Sequence, residues 1–274
     1  MVERIEAMND DILVKFENVS KQFQLDDGPV EVLHDVNFTV KRGSFTIIYG
    51  PSGSGKSTLL NVLTGLEPPT TGSVVVDGQH LYTMNPDERA GFRARRMGMV
   101  YQTNYWVNSL TAIENVALPL LLTGRSYQEA MGEAKASIGR VGLDKYAEYR
   151  PNLLSGGQQQ RISMARASII SPMLLIADEP TGNLDSKNGD MIMELVQSFK
   201  TDFGSTIVLV THNLDYLPLS DYRLYIKDGV VTEEKGSYKG PNKPKDDEVM
   251  RESKQPKPVL DFNPVIPNQK GDKV

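Results

Sequence analysis

Gly50-Pro51-Ser52-Gly53-Ser54-Gly55-Lys56-Ser57-Thr58 fits the pattern G-x-x-x-x-G-K-[ST] in full, the signature of a phosphate-binding loop. The run before it, Ser44-Phe45-Thr46-Ile47-Ile48-Tyr49, is β-branched and aromatic and predicts a strand; Ser57 to Leu63 after it has the composition of a helix. The three glycines of the loop let the backbone curl until several N–H groups point at one anion, and a side chain there would block the phosphates. The following helix adds its positive N-terminal end, Lys56 a mobile charge for the β- and γ-phosphates, and the Ser57 hydroxyl a ligand for Mg²⁺.

Outward from the loop, Ile12 to Val19 alternates as a strand does and a second strand is expected over Val36 to Val40. Phe23 and the Asp26-Asp27-Gly28-Pro29 turn between them predict a hairpin-like lobe. A ring at Phe23 suits stacking on a purine or packing in a core, and its position alone leaves both open. Pro68-Pro69-Thr70-Thr71-Gly72 breaks the chain, after which Ser73 to Asp77 and Met97 to Tyr101 read as strands, the second closing on Gln102. Leu110 to Leu122 and Ser126 to Val141 look helical, with Gly124 and Gly142 as stops, and the block from about 105 to 170 interrupts the β and α alternation as a lobe of its own. The alternation resumes with the apolar strand Met173 to Asp178, a helix over Ser186 to Phe203 and a strand over Thr206 to Val210. Leu224 to Ile226 and Val230 to Thr232 flank the turn Lys227-Asp228-Gly229. The expected fold is α/β: a P-loop NTPase core of the RecA-like kind, an N-terminal antiparallel β lobe and an inserted α-helical lobe, all within residues 11–235.

The 274 residues are enough for a sizeable core, and 39% hydrophobic with 24% charged residues is ordinary for a globular chain. A net charge of −5 gives no support to a nucleic-acid surface, and no nucleic-acid partner is expected. The absence of cysteine excludes disulfides, cysteine metal sites and a thiol nucleophile. No apolar run approaches the roughly 18 to 20 residues needed to cross a bilayer, so any membrane role is expected to come through a partner. Residues 1–10 read as a flexible start without the layout of a secretory signal. From Gly236 onward six of the sixteen prolines crowd into 39 residues, which predicts a solvated, flexible tail over 236–274; its apolar patches Val259-Leu260-Asp261-Phe262 and Val265-Ile266 suit docking less well than disorder.

A phosphate loop alone does not choose between kinase, GTPase and ATPase. The strand ending in Asp178 puts a carboxylate at a strand's C-terminal edge, where it can hold Mg²⁺ opposite Ser57. Glu179 follows at once, and the pair suits a division in which Asp178 orders the metal and Glu179 polarises the attacking water. Leu154-Ser155-Gly156-Gly157-Gln158 opens a further helix with small residues and makes a second anion site of bare N–H groups and helix dipole. Since one γ-phosphate is already cradled by the loop, the second cradle is most economically assigned to another subunit's nucleotide.

On these residues the chain resembles the ATP-binding cassette (ABC) ATPases over about 12 to 235. The resemblance makes Gly50 to Thr58 the Walker A loop, Gln102 the Q-loop glutamine, Leu154 to Gln158 the signature, and Met173 to Asp178 Walker B. It makes Asn183-Leu184-Asp185 the D-loop, His212 the switch histidine and Phe23 the adenine-stacking aromatic. It implies ATP and Mg²⁺ as cofactors, with Ser57, Gln102 and Asp178 toward the metal, Glu179, His212 and Gln102 in hydrolysis, and Ser155, Gly156, Gly157, Gln158 and Asp185 facing the nucleotide of a second copy of the chain. Two antiparallel subunits would trap two ATP molecules and reopen on hydrolysis. Ala177 to Asp185, Gln158-Gln159-Gln160-Arg161 and Leu110 to Val116 look most like the branch serving lipoprotein release, macrolide efflux, antimicrobial-peptide resistance and cell-division permeases. The resemblance therefore implies a subunit held at the cytoplasmic face of the membrane by a separate permease, which docks near the segment after Gln102. Tyr105-Trp106-Val107-Asn108 departs from that branch's pattern. A soluble regulatory or assembly ATPase of the same family, without a permease, is the alternative; a small-molecule kinase leaves Leu154 to Gln158 and His212 unexplained.

Overall fold

The computed structural model describes residues 11–26 and 28–234. The expectations for residues 1–10 and for the tail, including its apolar patches, lie outside the described residues.

Two sheets divide the chain. Strand β1 (Ile12–Leu25) pairs antiparallel with β2 (Gly28–Lys41), both longer than their alternation predicts, Leu25 standing opposite Gly28. After β3 (Phe45–Tyr49) and helix α1 (Lys56–Leu63), β4 (Thr71–Val76) and the two-residue β5 (Gln79–His80) complete an antiparallel sheet of order β2-β1-β4-β5. Helix α2 (Pro86–Arg96) precedes β6 (Met97–Val100), and α3 (Ala112–Leu122), α4 (Tyr127–Arg140) and α5 (Gly156–Ser168) follow before the chain returns to β7 (Leu174–Asp178). Helix α6 (Ser186–Phe203), β8 (Thr206–Thr211), β9 (Tyr222–Lys227) and β10 (Val230–Glu234) finish the described chain. The second sheet runs β10-β9-β3-β8-β7-β6, all parallel neighbours except the β9–β10 hairpin.

The period-2 geometry of strands explains how this sheet seats two cores. Phe45, Ile47 and Tyr49 of β3, Leu175 and Ala177 of β7, and Ile207 and Leu209 of β8 face a cluster built with α3, α4, α5 and α6. Their alternates Ile48, Leu174, Ile176, Val208 and Val210 face the other cluster, made with α1 and the antiparallel sheet. Runs that are apolar at nearly every position are thus required by burial on both faces, with Thr46, Thr206 and Thr211 the buried exceptions in β3 and β8.

Helix α2 is absent from the sequence reading. Its start is nonetheless encoded, because Asn85 and Glu88 form a reciprocal capping box with Pro86 in the first turn. It buries no residue, so it carries no apolar stripe to announce it. Helices α3, α4 and α5 also start on capping boxes, Thr111–Glu114, Ser126–Glu129 and Ser155–Gln158. Gly124 and Gly142 take left-handed backbone (φ 92° and 68°) just past α3 and α4, as stops should. Fully buried Asn115 fixes the loop into α3: its amide accepts from Val107 N–H and donates to the carbonyls of Val107, Leu110 and Thr111.

Candidate nucleotide site

Because β3, β7 and β8 are parallel neighbours, their carboxyl ends emerge side by side. Tyr49 stands opposite Thr211 and Asp178 opposite Val210, so the loop at Gly50, the Asp178-Glu179 pair and His212 leave one sheet edge together. This is the crevice where open α/β sheets place ligands. Ser52, Gly53, Gly55, Lys56, Ser57, Thr58, Gln102, Asp178, Glu179 and His212 line one cavity there of about 620 Å³.

The loop glycines divide their work. A Cβ on Gly50 would lie 1.9 Å from the Ile226 carbonyl of β9, so this residue is small because a strand passes it. Gly53 and Gly55 instead take positive φ, 77° and 101°, the backbone region glycine enters without cost. Gly229 N–H, in the β9–β10 turn, donates to the Ser54 carbonyl and braces the loop from below. Gly55 caps α1 without a side-chain acceptor, which leaves the N-terminal amides of that helix to an anion. Lys56 Nζ donates to the carbonyls of Gly50 and Pro51 at 2.9 and 2.7 Å, which holds its charge over the loop. Ser54 is buried with its hydroxyl unpaired.

Across the cavity, His212 Nδ1 stands 2.8 Å from Glu179 Oε1. Glu179 Oε2 is buried and has no hydrogen-bond partner, a carboxylate oxygen left available to a proton donor such as water. Glu179 also takes a left-handed backbone (φ 47°), with its N–H tied to the Val210 carbonyl at 2.9 Å. A non-glycine residue there stores strain, of order 1–3 kcal/mol, that the surrounding sheet must hold. Burial, and then the charge of Glu179, push the Asp178 carboxyl above its ordinary range, with Lys56 pulling the other way. The donors suit Mg²⁺: a hydroxyl, an amide oxygen and one carboxylate, the hard oxygen set that this ion completes with water and phosphate oxygens. Among the described residues no cluster of three or more His, Asp or Glu side chains has ligand geometry, and such a site needs none.

The second cradle is not at this cavity. Ser155 and Gly156 are exposed, and none of Ser155 to Gln158 lines it. Ser155 Oγ accepts from Gln158 N–H while Gln158 Oε1 accepts from Ser155 N–H, so the amides of this helix start are less bare than the sequence reading had them. Gly157 packs against the first turn of α6: a Cβ there would meet Asn188 Oδ1 at 2.8 Å. Asp185 caps α6, accepting from the Asn188 backbone and side chain, which hold its carboxyl below the usual range. Leu184 and Gly156 border a neighbouring cavity of about 500 Å³. Phe23 lies on β1 opposite Val30, half-buried, with Lys21 Nζ 4.7 Å from its ring centroid, and is not among the residues lining the main cavity. Val32 of β2 lines that cavity, and its place in an alternating strand gave no signal of it.

A glycine loop opening a helix, two carboxylates and a histidine at the carboxyl edge of a parallel sheet define a P-loop nucleoside triphosphatase. The family model for the ABC transporter domain matches residues 33–182, and the chain belongs to that family: it is an ABC ATPase. It is 39% identical over 221 residues to the lipoprotein-releasing system ATP-binding protein LolD of Shewanella denitrificans, 81% of this chain and 95% of that protein. It is 40% identical to LolD of Shewanella frigidimarina, covering 80% and 92%. Among solved structures it is similar to the dimeric bacterial ABC transporter cassette MJ0796, also solved as a post-hydrolysis dimer bound to ADP and Pi. Each of these two matches has a TM-score of 0.77 and 39% identity, over 81% of this chain and 98% of the other. CbiO1 of Clostridium perfringens, part of the transporter complex cbiONQ, matches with a TM-score of 0.71 and 27% identity, over 81% and 87%.

Proposed function

We propose that this chain is the ATP-binding subunit of a lipoprotein-release-like or export system, and that it works as a homodimer closing on two ATP molecules. The observation that carries this reading is the split of the site: the loop, Asp178, Glu179 and His212 share one cavity, whereas Ser155 to Gln158 form a helix start, exposed at Ser155 and Gly156, that does not line it. The catalytic set is therefore half of a site whose other half is a second copy's Ser155, Gly156, Gly157, Gln158 and Asp185.

In this reading Phe23 stacks on the adenine and Gly50 to Thr58 hold the phosphates. Ser57, Gln102 and Asp178 would hold Mg²⁺, which would supply positive charge against the phosphate oxygens. Glu179 takes the proton of the attacking water on its unpaired Oε2, and His212, fixed by Glu179 Oε1, contacts the γ-phosphate. Loss of the γ-phosphate removes the bridge between subunits, and the dimer opens.

No helix among the described residues is long and apolar enough to cross a membrane. A groove of about 490 Å³ bordered by Arg93, Tyr105, Pro119, Leu122 and Arg166, with Tyr105 and Leu122 exposed on its rim, suits a permease segment at the cytoplasmic face. Light scattering tests the dimer: ATP should convert monomer to dimer, and Ser155→Arg should stay monomeric while binding ATP normally. A dimer indifferent to ATP would refute the reading. The chain lacks cysteine, so Leu122→Cys gives a single cross-linking site; in native membranes it should join a multi-spanning protein, and reaction with soluble proteins alone would refute the docking.

A further inference from the structure

Trp106, the chain's sole tryptophan, has no part in the roles above. It lies just beyond Gln102, in the stretch that departs from the branch pattern. Its indole N–H donates to Gln159 Oε1 at 3.0 Å, in the first turn of α5. Its ring face carries the Arg166 guanidinium, 4.5 Å from the centroid. Gln159 and Arg166 are two turns apart on α5, so one helix face grips the indole from its edge and its plane.

The same helix holds the backbone on the way to Trp106. Arg166 donates to the Asn104 carbonyl at 2.6 Å and to the Tyr105 carbonyl at 3.4 Å, and Gln160 Nε2 to the Tyr101 carbonyl at 3.5 Å. No carboxylate among the described residues pairs with Arg166; a ring face and two carbonyls balance its charge, and burial pushes its pKa down. A partly desolvated cation served only by dipoles loses much if they move, which favours one fixed arrangement. Gln102 lines both the nucleotide cavity and the adjoining one, whose wall is Trp106, Gln159 and Gly156 together with Glu179.

We propose that Trp106, Gln159 and Arg166 form a latch that fixes the Gln102 segment to the helix bearing Ser155 to Gln158, so that both reach the nucleotide in register. Trp106 is a positioning residue: it touches no reacting atom. The inference rests on the nucleotide-site reading above.

The test uses the full chain, with steady-state ATP hydrolysis and calorimetric ATP binding. Trp106→Phe keeps the ring under Arg166 and removes the N–H; Gln159→Leu removes its acceptor and also the donation to the Leu154 carbonyl; Gln159→Glu keeps an acceptor. Trp106→Phe and Gln159→Leu should each lower kcat about threefold to tenfold, the effect of one hydrogen bond. Monomer ATP affinity should stay within about twofold, and the double variant should be no slower than the slower single one. Gln159→Glu keeps the acceptor for Trp106 and loses the 3.1 Å donation from Gln159 Nε2 to the Leu154 carbonyl, so its kcat should fall less than that of Gln159→Leu, and Arg166→Met, which spares the Trp106–Gln159 bond, should also lower kcat at unchanged affinity. Additive losses, unchanged kcat in the single variants, or losses that follow ATP affinity would overturn the latch alone. A wild-type chain that binds no ATP would overturn the latch and the site reading together.

Discussion

Replacing Glu179 with Gln isolates the step assigned to its carboxylate. The two side chains have the same length, and the amide oxygen of the Glu179→Gln variant can still accept from His212 Nδ1 at the 2.8 Å separation. What disappears is the basicity of Oε2, the buried oxygen without a hydrogen-bond partner, and one negative charge beside Asp178. A positioned general base contributes about 10²- to 10⁴-fold, so the barrier should rise by roughly 2.7–5.5 kcal/mol at 1.36 kcal/mol per tenfold. Placing an amide NH₂ where Oε2 was buried leaves donors unpaired, at a cost to the fold of about 1–3 kcal/mol. Removing the charge next to the γ-phosphate acts the other way on ATP, relieving repulsion in the bound state. Phosphate release under saturating ATP should therefore fall at least about a hundredfold with KM little changed, while light scattering shows the ATP-bound dimer accumulating. Turnover within about threefold of wild type would refute the role of Glu179; loss of ATP binding would refute the claim that it acts after binding.

Other perturbations follow from the same geometry. His212→Ala should lower kcat about 10²-fold and leave the melting temperature close to wild type, because the imidazole is exposed and its polar contact is Glu179, checked by hydrolysis and calorimetry. Asp178 has a raised carboxyl pKa, so the folded chain holds that proton more tightly than the unfolded one. Its charge thus costs stability above its folded pKa, a cost that vanishes as pH falls through the ordinary carboxylate range. Asp178→Asn should therefore abolish hydrolysis yet raise Tm at pH 7 more than at pH 4, read by scanning calorimetry at both. Asn115→Ala strands the Val107 amide and carbonyl and should cost about 2–3 kcal/mol in denaturant unfolding, with ATP binding by the core retained.

Signals local in sequence were legible. The loop and its strand and helix could be read because the chemistry of phosphate binding fixes residue types at fixed spacing. The buried strands β3, β7 and β8 could be read because burial on both faces removes polar positions. Signals that depend on a partner far along the chain were not. Gly50 is small because of the Ile226 carbonyl, and nothing in the loop foretells that neighbour. Helix α2 buries no residue and so lacks the apolar period by which helices are recognised, although its Asn85–Glu88 box was available to a reading that looked for caps. Val32 reaches the cavity because β2 runs against the loop at Gly55 and the β9–β10 turn at Gly229, and the grip of Arg166 on Trp106 joins segments far apart along the chain. The start of α5 was legible from its small residues, but not the close packing of Gly157 against Asn188 that also requires one of them.

The central claim is that each ATP site is built from the loop of one chain and Ser155 to Gln158 of another. Mixing two inactive variants tests it. Lys56→Ala breaks the loop and keeps the helix start, and Ser155→Arg does the reverse. If the site is shared, a heterodimer of the two contains one intact site, so an equal mixture should recover hydrolysis up to about a quarter of wild type, half the dimers being mixed and half their sites whole. A mixture as inactive as its components would contradict the account.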